Sequence, residues 1–498
     1  MARNRAVLTS IFSVLVLIFA IGWITKSAQF AQAQTPQVKL TGGSVPAANV
    51  TDATVQRSQT SVPLGTTAYT VKRGDTISLI ARHHLSGTSY LTTAELADAI
   101  RTMNGNRKGE SVKPGETIFV PGILDAPIVE KSVTVPRDFE VRAVYLTGVM
   151  AASNHGVRII RRWRELGGNA VVFDIKDSDG VLNIAFDHPL ATDKKRPVIS
   201  DLPKFVRFLH SQRMHAIARI AIFRDEHLVV THPELAVKSK RTGQPWRENG
   251  KLVWTDPSQP KVQEYDIALA KHVAKSGVDE VQFDYVRFPA EGEQKDAQFV
   301  FMKDHPDWHR TDVITHFLKD AYAELHPQGV LLSLDVFGVM AWQRSVDLAH
   351  TGQDIPNMAK YCDVLSPMIY PSHFFGMDGY ARPGDAPEHF IGESMDRFRL
   401  ITKDTGVVLR PWLQAFAWRT KTYSPKYIEV QVATSKQKGG IGFLFWNANN
   451  NYSKPYAAMP AMREAKLFRG DELPAAGSVA SDASSGGAGM KLVSAPAK

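Results

Sequence analysis

The stretch Val278–Pro289, VDEVQFDYVRFP, decides the fold. In it Val281 and Phe283 alternate with Gln282 and Asp284, a period of two that puts Gln282 and Asp284 on one face of a strand. The run follows a helical segment ending near Gly277. It stops at Pro289, whose nitrogen carries no proton for a ladder hydrogen bond. An acidic side chain at the C-terminal end of a strand that follows a helix is where an α/β barrel keeps its chemistry. The plain structural alternative is an aspartate that caps a loop or pairs with nearby Arg287.

The same alternation extends from Val141 onward. Candidate strands are Val141–Thr147, Ala170–Lys176, His215–Ala221, Glu280–Tyr285, Leu331–Phe337, Val364–Tyr370, Val408–Gln414 and Ile441–Trp446. Helical stretches fall between them: Asp201–Arg213, Gln259–Lys275, Thr311–Leu325, Glu388–Thr402 and Lys426–Gln437. Parallel strands buried on both faces read as near-continuous apolar runs, and AVVF, IARIAIF, VLLSL and GFLF do. Eight strands with intervening helices predict an α/β chain folded as a (β/α)8 barrel over residues 140–468. An open doubly wound sheet is the alternative, but no glycine-rich phosphate loop follows the first strand.

Ahead of the barrel, residues 68–121 predict a small β-α-α-β unit. AYTVKRGDTISLIARHH opens as a strand, turns at Gly74-Asp75 and enters a helix that Asp75 or Thr76 can cap; a second helical run covers Thr93–Met103. Residues 34–67 and 122–139 have linker composition, and 469–498, rich in Ala, Ser and Gly, is expected to be disordered. Over residues 1–33, Arg3 and Arg5 precede an apolar run from Ala6 to Ile24, and Ala31-Gln32-Ala33 offers a cleavage site. This predicts a signal peptide, with an uncleaved membrane anchor as the alternative. Either places the bulk of the protein outside the cytoplasm, in the periplasm, cell envelope or extracellular space.

The 498 residues carry a net charge of +9, which suits nucleic acid, an anionic envelope polymer or a membrane surface. The basic residues are scattered without a Lys/Arg block, which argues against nucleic acid. One cysteine, Cys362, excludes an intramolecular disulfide and a Cys-based zinc site, and its apolar context predicts a core residue. His155, His227 and His305 lack metal-ligand spacing, and HExxH, P-loop and GxSxG motifs are missing. Neither a metal nor a cofactor is expected.

At the barrel mouth the predicted strand ends present acids, amides and aromatics together, the set that sugar chemistry requires. Asp284 and Asp335 end consecutive strands, about 4.8 Å apart in a barrel, so their carboxyls can approach each other as in a retaining glycosidase. Asp284 is the expected nucleophile and Asp335 the expected acid/base, with Asp174 as substitute for either. Lys176, Arg219, Gln282, Arg287, Tyr370, His373, Trp412, Gln414, Trp446 and Asn447 are the expected substrate contacts. Structural alternatives stand beside these. Asp177 and Asp179 read as an Asx/Gly turn, Asp256-Pro257 as a helix start, Arg219 as an interior charge balance, and Trp412 and Trp446 as core.

Two resemblances sharpen the reading. YTVKRGDTISLIA and KPGETIFVP make residues 68–121 similar to the LysM carbohydrate-binding module, although LSGTSYLTTAEL between the helices is longer than the usual pattern. The resemblance implies a groove between the Gly74, Asp75 and Thr76 turn and the loop before Pro114, binding N-acetylglucosamine-containing chains such as peptidoglycan. NAVVFDIKDSDG, WTDPSQPKVQEY, VDEVQFDYVRFP, SLDVFG, DVLSPMIYPSHF and GFLFWN make the barrel resemble the bacterial putative glycosyl hydrolase domains, relatives of the α-amylase-type barrels. That resemblance covers roughly residues 139–467 and implies an exported carbohydrate-active barrel with its acid at Asp284. The chain departs from the amylases at Gln282, where they have Arg, and at Asp335, where they have Glu. The expected function is a glycoside hydrolase acting on a polysaccharide or on peptidoglycan glycan chains. The alternative is a glycan-binding envelope protein with a degenerate barrel.

Overall fold

The computed structural model describes residues 62–124, 138–191 and 197–466. The expected leader at 1–33, most of the linker at 34–67, the middle of the linker at 122–139 and the tail at 469–498 lie outside the described residues. Among the described residues no helix is long and apolar enough to cross a membrane.

The small module is built as expected. Strand β1 (Thr66–Thr70) pairs antiparallel with β2 (Thr117–Pro121), and α1 (Ile77–His84) and α2 (Thr93–Met103) lie between them in sequence. The first strand opens at Thr66, ahead of the expected boundary at residue 68. Ile77, Ile80, Leu96, Ile100, Ile118 and Val120 form the core. Thr76 caps α1, its hydroxyl accepting from the Leu79 N–H at 3.1 Å. Asp75 does not cap. Its carboxylate accepts from the Lys72 N–H (2.7 Å) and the Tyr69 hydroxyl (2.8 Å), which holds its pKa below the usual range. Those bonds close a turn in which Gly74 sits at φ +92°, a conformation glycine alone adopts at no steric cost. The long segment between the helices is the part that meets the barrel. The Leu85 carbonyl accepts from the buried Lys204 ammonium at 2.6 Å, Thr92 meets Asn154, and Glu95 at the start of α2 pairs with Arg161.

The barrel strands are β3 (Val141–Leu146), β4 (Ala170–Lys176), β5 (His215–Ala221), β6 (Glu280–Asp284), β7 (Leu331–Phe337), β8 (Val364–Met368), β9 (Val408–Leu409), β10 (Trp412–Gln414) and β11 (Gly442–Trp446). From β3 to β8 each pairs in parallel with the next, β8 pairs in parallel with both β9 and β10, and β11 pairs with β10 and back onto β3, so the sheet closes. The seventh stave is split into β9 and β10 because Arg410-Pro411 interrupts it, and proline has no N–H for the ladder. Between staves run α3 (Asn154–Leu166), α4 (Leu202–Ser211), α5 (Pro260–Ala274), α6 (Arg310–Leu325), α7 (Pro387–Ile401) and α8 (Pro425–Gln437), with α9 (Ser453–Glu464) after the last. Ser153, Asp201 and Ser424 cap α3, α4 and α8 through their side-chain oxygens. Helix α5 starts at Pro260 behind Gln259, not at Asp256-Pro257. Asp256 instead ties a loop, accepting from the Ser258 hydroxyl (2.6 Å) and the Val300 N–H (2.7 Å).

Alternation sorts each strand. Val144, Leu146, Val171 and Phe173 pack outward in the large core under the helices, while Val141, Ala143, Tyr145, Ala170, Val172, Ile217 and Leu444 fill the barrel interior. Cys362 is buried in the outer core. The interior also holds a charged group at the strand starts: Arg410 donates to Glu280 at 2.7 Å and His215 sits 3.0 Å from the same carboxylate. Burial alone would raise the Glu280 pKa, but the charge of Arg410 and the His215 bond overturn that and hold it at about 2.

Glu280→Ala leaves the Arg410 guanidinium buried without its counter-charge, and denaturant unfolding at pH 7 is expected to show a loss of about 3–5 kcal/mol. The folded pKa lies below the ordinary value, so the pair's contribution is complete above that ordinary value and fades as pH falls toward about 2. The stability gap between wild type and variant therefore narrows in acid.

Candidate active site at the barrel mouth

Arg219, on β5, gathers the acids. The register sets Asp174 of β4 opposite Arg219 and Asp284 of β6 opposite Ala221, so inward-facing side chains of three neighbouring strands converge. Nη1 donates to Asp174 Oδ1 at 2.5 Å and lies 3.4 Å from Asp177 Oδ1. Nη2 and Nε reach Asp284 Oδ2 at 2.6 and 3.2 Å, and Nε stands 4.0 Å from Asp335 Oδ2 on β7. The Oδ2 atoms of Asp284 and Asp335 thus share one nitrogen and can be no further apart than those last two distances added. That bound includes the 5–5.5 Å or so of a retaining pair.

One cation faces four carboxyls, so their protonation is uneven. Burial raises the Asp335 pKa well above the carboxylate range, and the negative charge of Asp284 raises it further; Arg219 and a 2.6 Å bond from Trp412 Nε1–H oppose this. Burial likewise lifts Asp174 to about 6 against the pull of Arg219, and the Tyr145 hydroxyl donates to its second oxygen. Solvent reaches Asp284, whose side chain is 12% exposed, and Asp177 at 15%, while Asp335 stands at 1%. Its Oδ1 accepts from the N–H of Tyr285 at 2.6 Å, and Tyr285 is held at φ +56°, in the left-handed region that a bulky residue rarely enters.

The profile of the "Putative glycosyl hydrolase domain" family matches residues 143–452, more than half of the chain. The chain belongs to this family. A LysM domain profile matches residues 69–121. Among solved structures, a hypothetical protein from Ruminiclostridium thermocellum ATCC 27405 is 33% identical over 39% of this chain and 97% of its own, with a TM-score of 0.34. The PgaB (BpsB) glycoside hydrolase domain from Bordetella bronchiseptica is 15% identical over 66% of this chain and 100% of its own, with a TM-score of 0.48. The spore cortex-lytic enzyme SleL of Bacillus megaterium QM B1551 is 11% identical over 80% and 87%, with a TM-score of 0.40. No curated protein matches.

In this glycosyl hydrolase domain the other expected contacts separate into rim and interior. Tyr370, His373 and Trp446 form a wall with Phe416 and Trp418: Tyr370 lies 5.3 Å from the His373 ring and 6.1 Å from Trp446, and His373 lies 5.0 Å from Trp418. Burial, then the charge of Arg419, pushes His373 down to about 4, so its imidazole is neutral at pH 7. Trp412 is buried at 2% exposure and serves Asp335.

Lys176 is not at the mouth. The β4–β5 register shifts between Asp174 and Lys176, so the two residues do not share a face; Lys176 is fully buried and bonded to Asp225 (2.9 Å) and to Asp266 of α5 (3.1 Å). Gln282 is fully buried and reaches Ser366 of β8 at 3.4 Å. Gln414 accepts from the Ser372 N–H and donates to the Phe416 and Trp418 carbonyls, and Asn447 donates to Ala415 and accepts from the Asn449 and Asn451 N–H groups. Both fix loops. Arg219 is the interior charge balance, locked to carboxylates. Asp284 pairs with Arg219, not with Arg287. Asp177 and Asp179 make the expected turn through the Ser178 and Val181 N–H groups, and Asp177 also faces Arg219. In the LysM module the Asp75 and Thr76 side chains are occupied within the turn. Tyr145 escaped the sequence reading, though it follows Val141 and Ala143 at a period of two.

Arg219→Met removes the one cation from this cluster. At pH 7 the variant is expected to lose about 3 kcal/mol or more in denaturant unfolding, the cost of stranding a buried charge. Unpaired, the carboxyls bind protons more tightly in the folded state than in the unfolded one, so acid relieves the loss. Thermal midpoints measured from pH 8 down to pH 5 should show the variant approaching wild type.

Proposed function

We propose that the chain is an exported glycoside hydrolase that holds cell-wall or extracellular glycan through its LysM module and cleaves a polysaccharide with two carboxyl groups. The observation that carries this reading is the unequal pair on Arg219. Asp284 is bonded twice to the guanidinium and partly open, while Asp335 beside it is enclosed and has its pKa raised well above the carboxylate range by burial and by the charge of Asp284. A retaining glycosidase needs one carboxylate and one carboxylic acid. Asp284 attacks the anomeric carbon as Asp335 gives its proton to the departing oxygen, and Asp335 then takes a proton from the water that frees the sugar. The aromatic wall of Tyr370, Phe416, Trp418 and Trp446 offers flat faces to pyranose rings. A LysM module and a carbohydrate-active barrel in one chain, behind a leader-like N-terminus, favour an extracellular or envelope location.

A second reading is a glycan-binding barrel without turnover. It rests on the enclosure of Asp335, of which only 1% of the side chain is exposed, with Trp412 occupying Oδ1.

Reducing ends released from peptidoglycan and from α- and β-linked glucans separate the two. Asp284→Asn is expected to lower release at least a thousandfold while glycan binding persists; equal release by wild type and variant on every substrate leaves the binding reading. The acid must be protonated to act, so activity should fall as pH rises through the raised pKa of Asp335. The Trp412 N–H favours the ionised form of Asp335, so Trp412→Phe is expected to move the alkaline limb of kcat/KM to higher pH.

A further inference from the structure

On the other side of the mouth from the neutral aromatic wall, the loops after β5 and β6 and the end of β7 bring together two buried arginines and three rings. Arg287 is 4% exposed. Its guanidinium carbon lies 4.4 Å from the centroid of Phe337, 4.8 Å from Trp254 and 5.4 Å from Tyr285. Nη1 donates to the Phe288 carbonyl at 3.0 Å, and no carboxylate among the described residues reaches salt-bridge distance of this group. Burial lowers its pKa, and Glu248 and Asp284 counter that only from beyond bonding range. Arg224, 7% exposed, stands over the same Tyr285 ring at 5.5 Å. Its Nη2 touches Glu226 at 3.3 Å, while Nη1 is buried without a partner, and so is the indole Nε1–H of Trp254.

This arrangement is costly as it stands. A desolvated guanidinium ordinarily has a carboxylate in contact, and buried donors ordinarily have acceptors. Here two like charges share one ring, and two donors are left over. Each term is relieved by one anion seated among them. A planar carboxylate matches the guanidinium fork, and flat rings that fix Arg287 from several sides pre-orient that fork. The ring they share belongs to Tyr285, the residue after Asp284, whose φ of +56° fixes the aromatic beside the reacting carboxylate.

We infer that this wall receives the carboxylate of an acidic sugar in the unit next to the cleaved bond. The substrate is then an anionic glycan, which suits a chain of net charge +9. Arg287 and Arg224 read the acid, and the neutral wall of Tyr370 and Trp446 stacks the adjoining ring. The inference rests on the glycan reading of the barrel mouth but not on turnover. Two sources supply such a carboxylate: a uronic acid, or the lactyl ether of a muramic-type sugar.

Calorimetry on the full chain carrying Asp284→Asn, which leaves ligands intact, tests this with oligogalacturonate, N-acetylmuramic acid and the neutral N-acetylglucosamine and chitohexaose. At least one acidic probe is expected to bind tenfold or more tightly than its neutral counterpart, and which one identifies the source. Adding Arg287→Gln should abolish that preference. Arg224→Gln, with its partly solvent-linked partner Glu226, should reduce it several-fold and serves if the Arg287 variant does not fold. Equal affinity for acidic and neutral probes, an acid preference that survives Arg287→Gln, or one that Arg224→Gln leaves undiminished overturns the inference. If acid binding depends on both arginines while the wild type releases no reducing ends, the turnover reading fails and this one stands.

Discussion

A single guanidinium inside a closed sheet faces more negative charge than it can neutralise, and that imbalance organises the barrel. Arg219 cannot leave: it is buried, and its nitrogens bond carboxylates from β4, the loop after β4, and β6. Four acids and one base in a space with little water force some of the acids to hold protons. Which acid does so follows from position. Asp335 is enclosed and beside another carboxylate; Asp284 lies at the strand end and has two bonds to the cation. What distinguishes two chemically identical side chains here is burial and neighbours, not residue type. The amylase-type acid on the fifth strand is Glu, and the aspartate here is a methylene shorter. Trp412 fills the remaining approach to it.

The fold was legible because the determinants of a barrel are local and repeated. Apolar runs such as AVVF, IARIAIF, VLLSL and GFLF marked staves, and helical stretches were read between them, although α3 and α9 escaped that reading. The split of the seventh stave was not read, although Pro411 announced it. Period two also predicted that Asp284 and Gln282 share a face, which they do, with Gln282 a layer deeper and out of reach of solvent.

The site was legible only in its acids. Lys176 was expected beside Asp174 by the same rule of two, but a register shift between them breaks the rule, and no residue in Asp174-Ile175-Lys176 signals a shift that depends on how β5 pairs. Gln414 and Asn447 stand where a substrate contact would, yet the loops they join have N–H groups and carbonyls that must be satisfied, and that demand wins. The aromatic surroundings of Arg287 come from Trp254, Tyr285 and Phe337, three segments whose meeting is set by the closure of the barrel. Sequence spacing carries no trace of it. The extra length between the LysM helices looked like a departure from the pattern; it makes the contact with α3 and α4 instead.

Burial and the charge of Asp284 raise the Asp335 pKa well above the carboxylate range, against the pull of Arg219. Carboxyl carbon NMR of aspartate-labelled protein, titrated from pH 4 to pH 9 and assigned by comparison with Asp335→Asn, reads this directly. The Asp335 signal is expected to titrate well above the ordinary carboxylate range. An Asp335 signal that is already ionised at pH 5 contradicts the account.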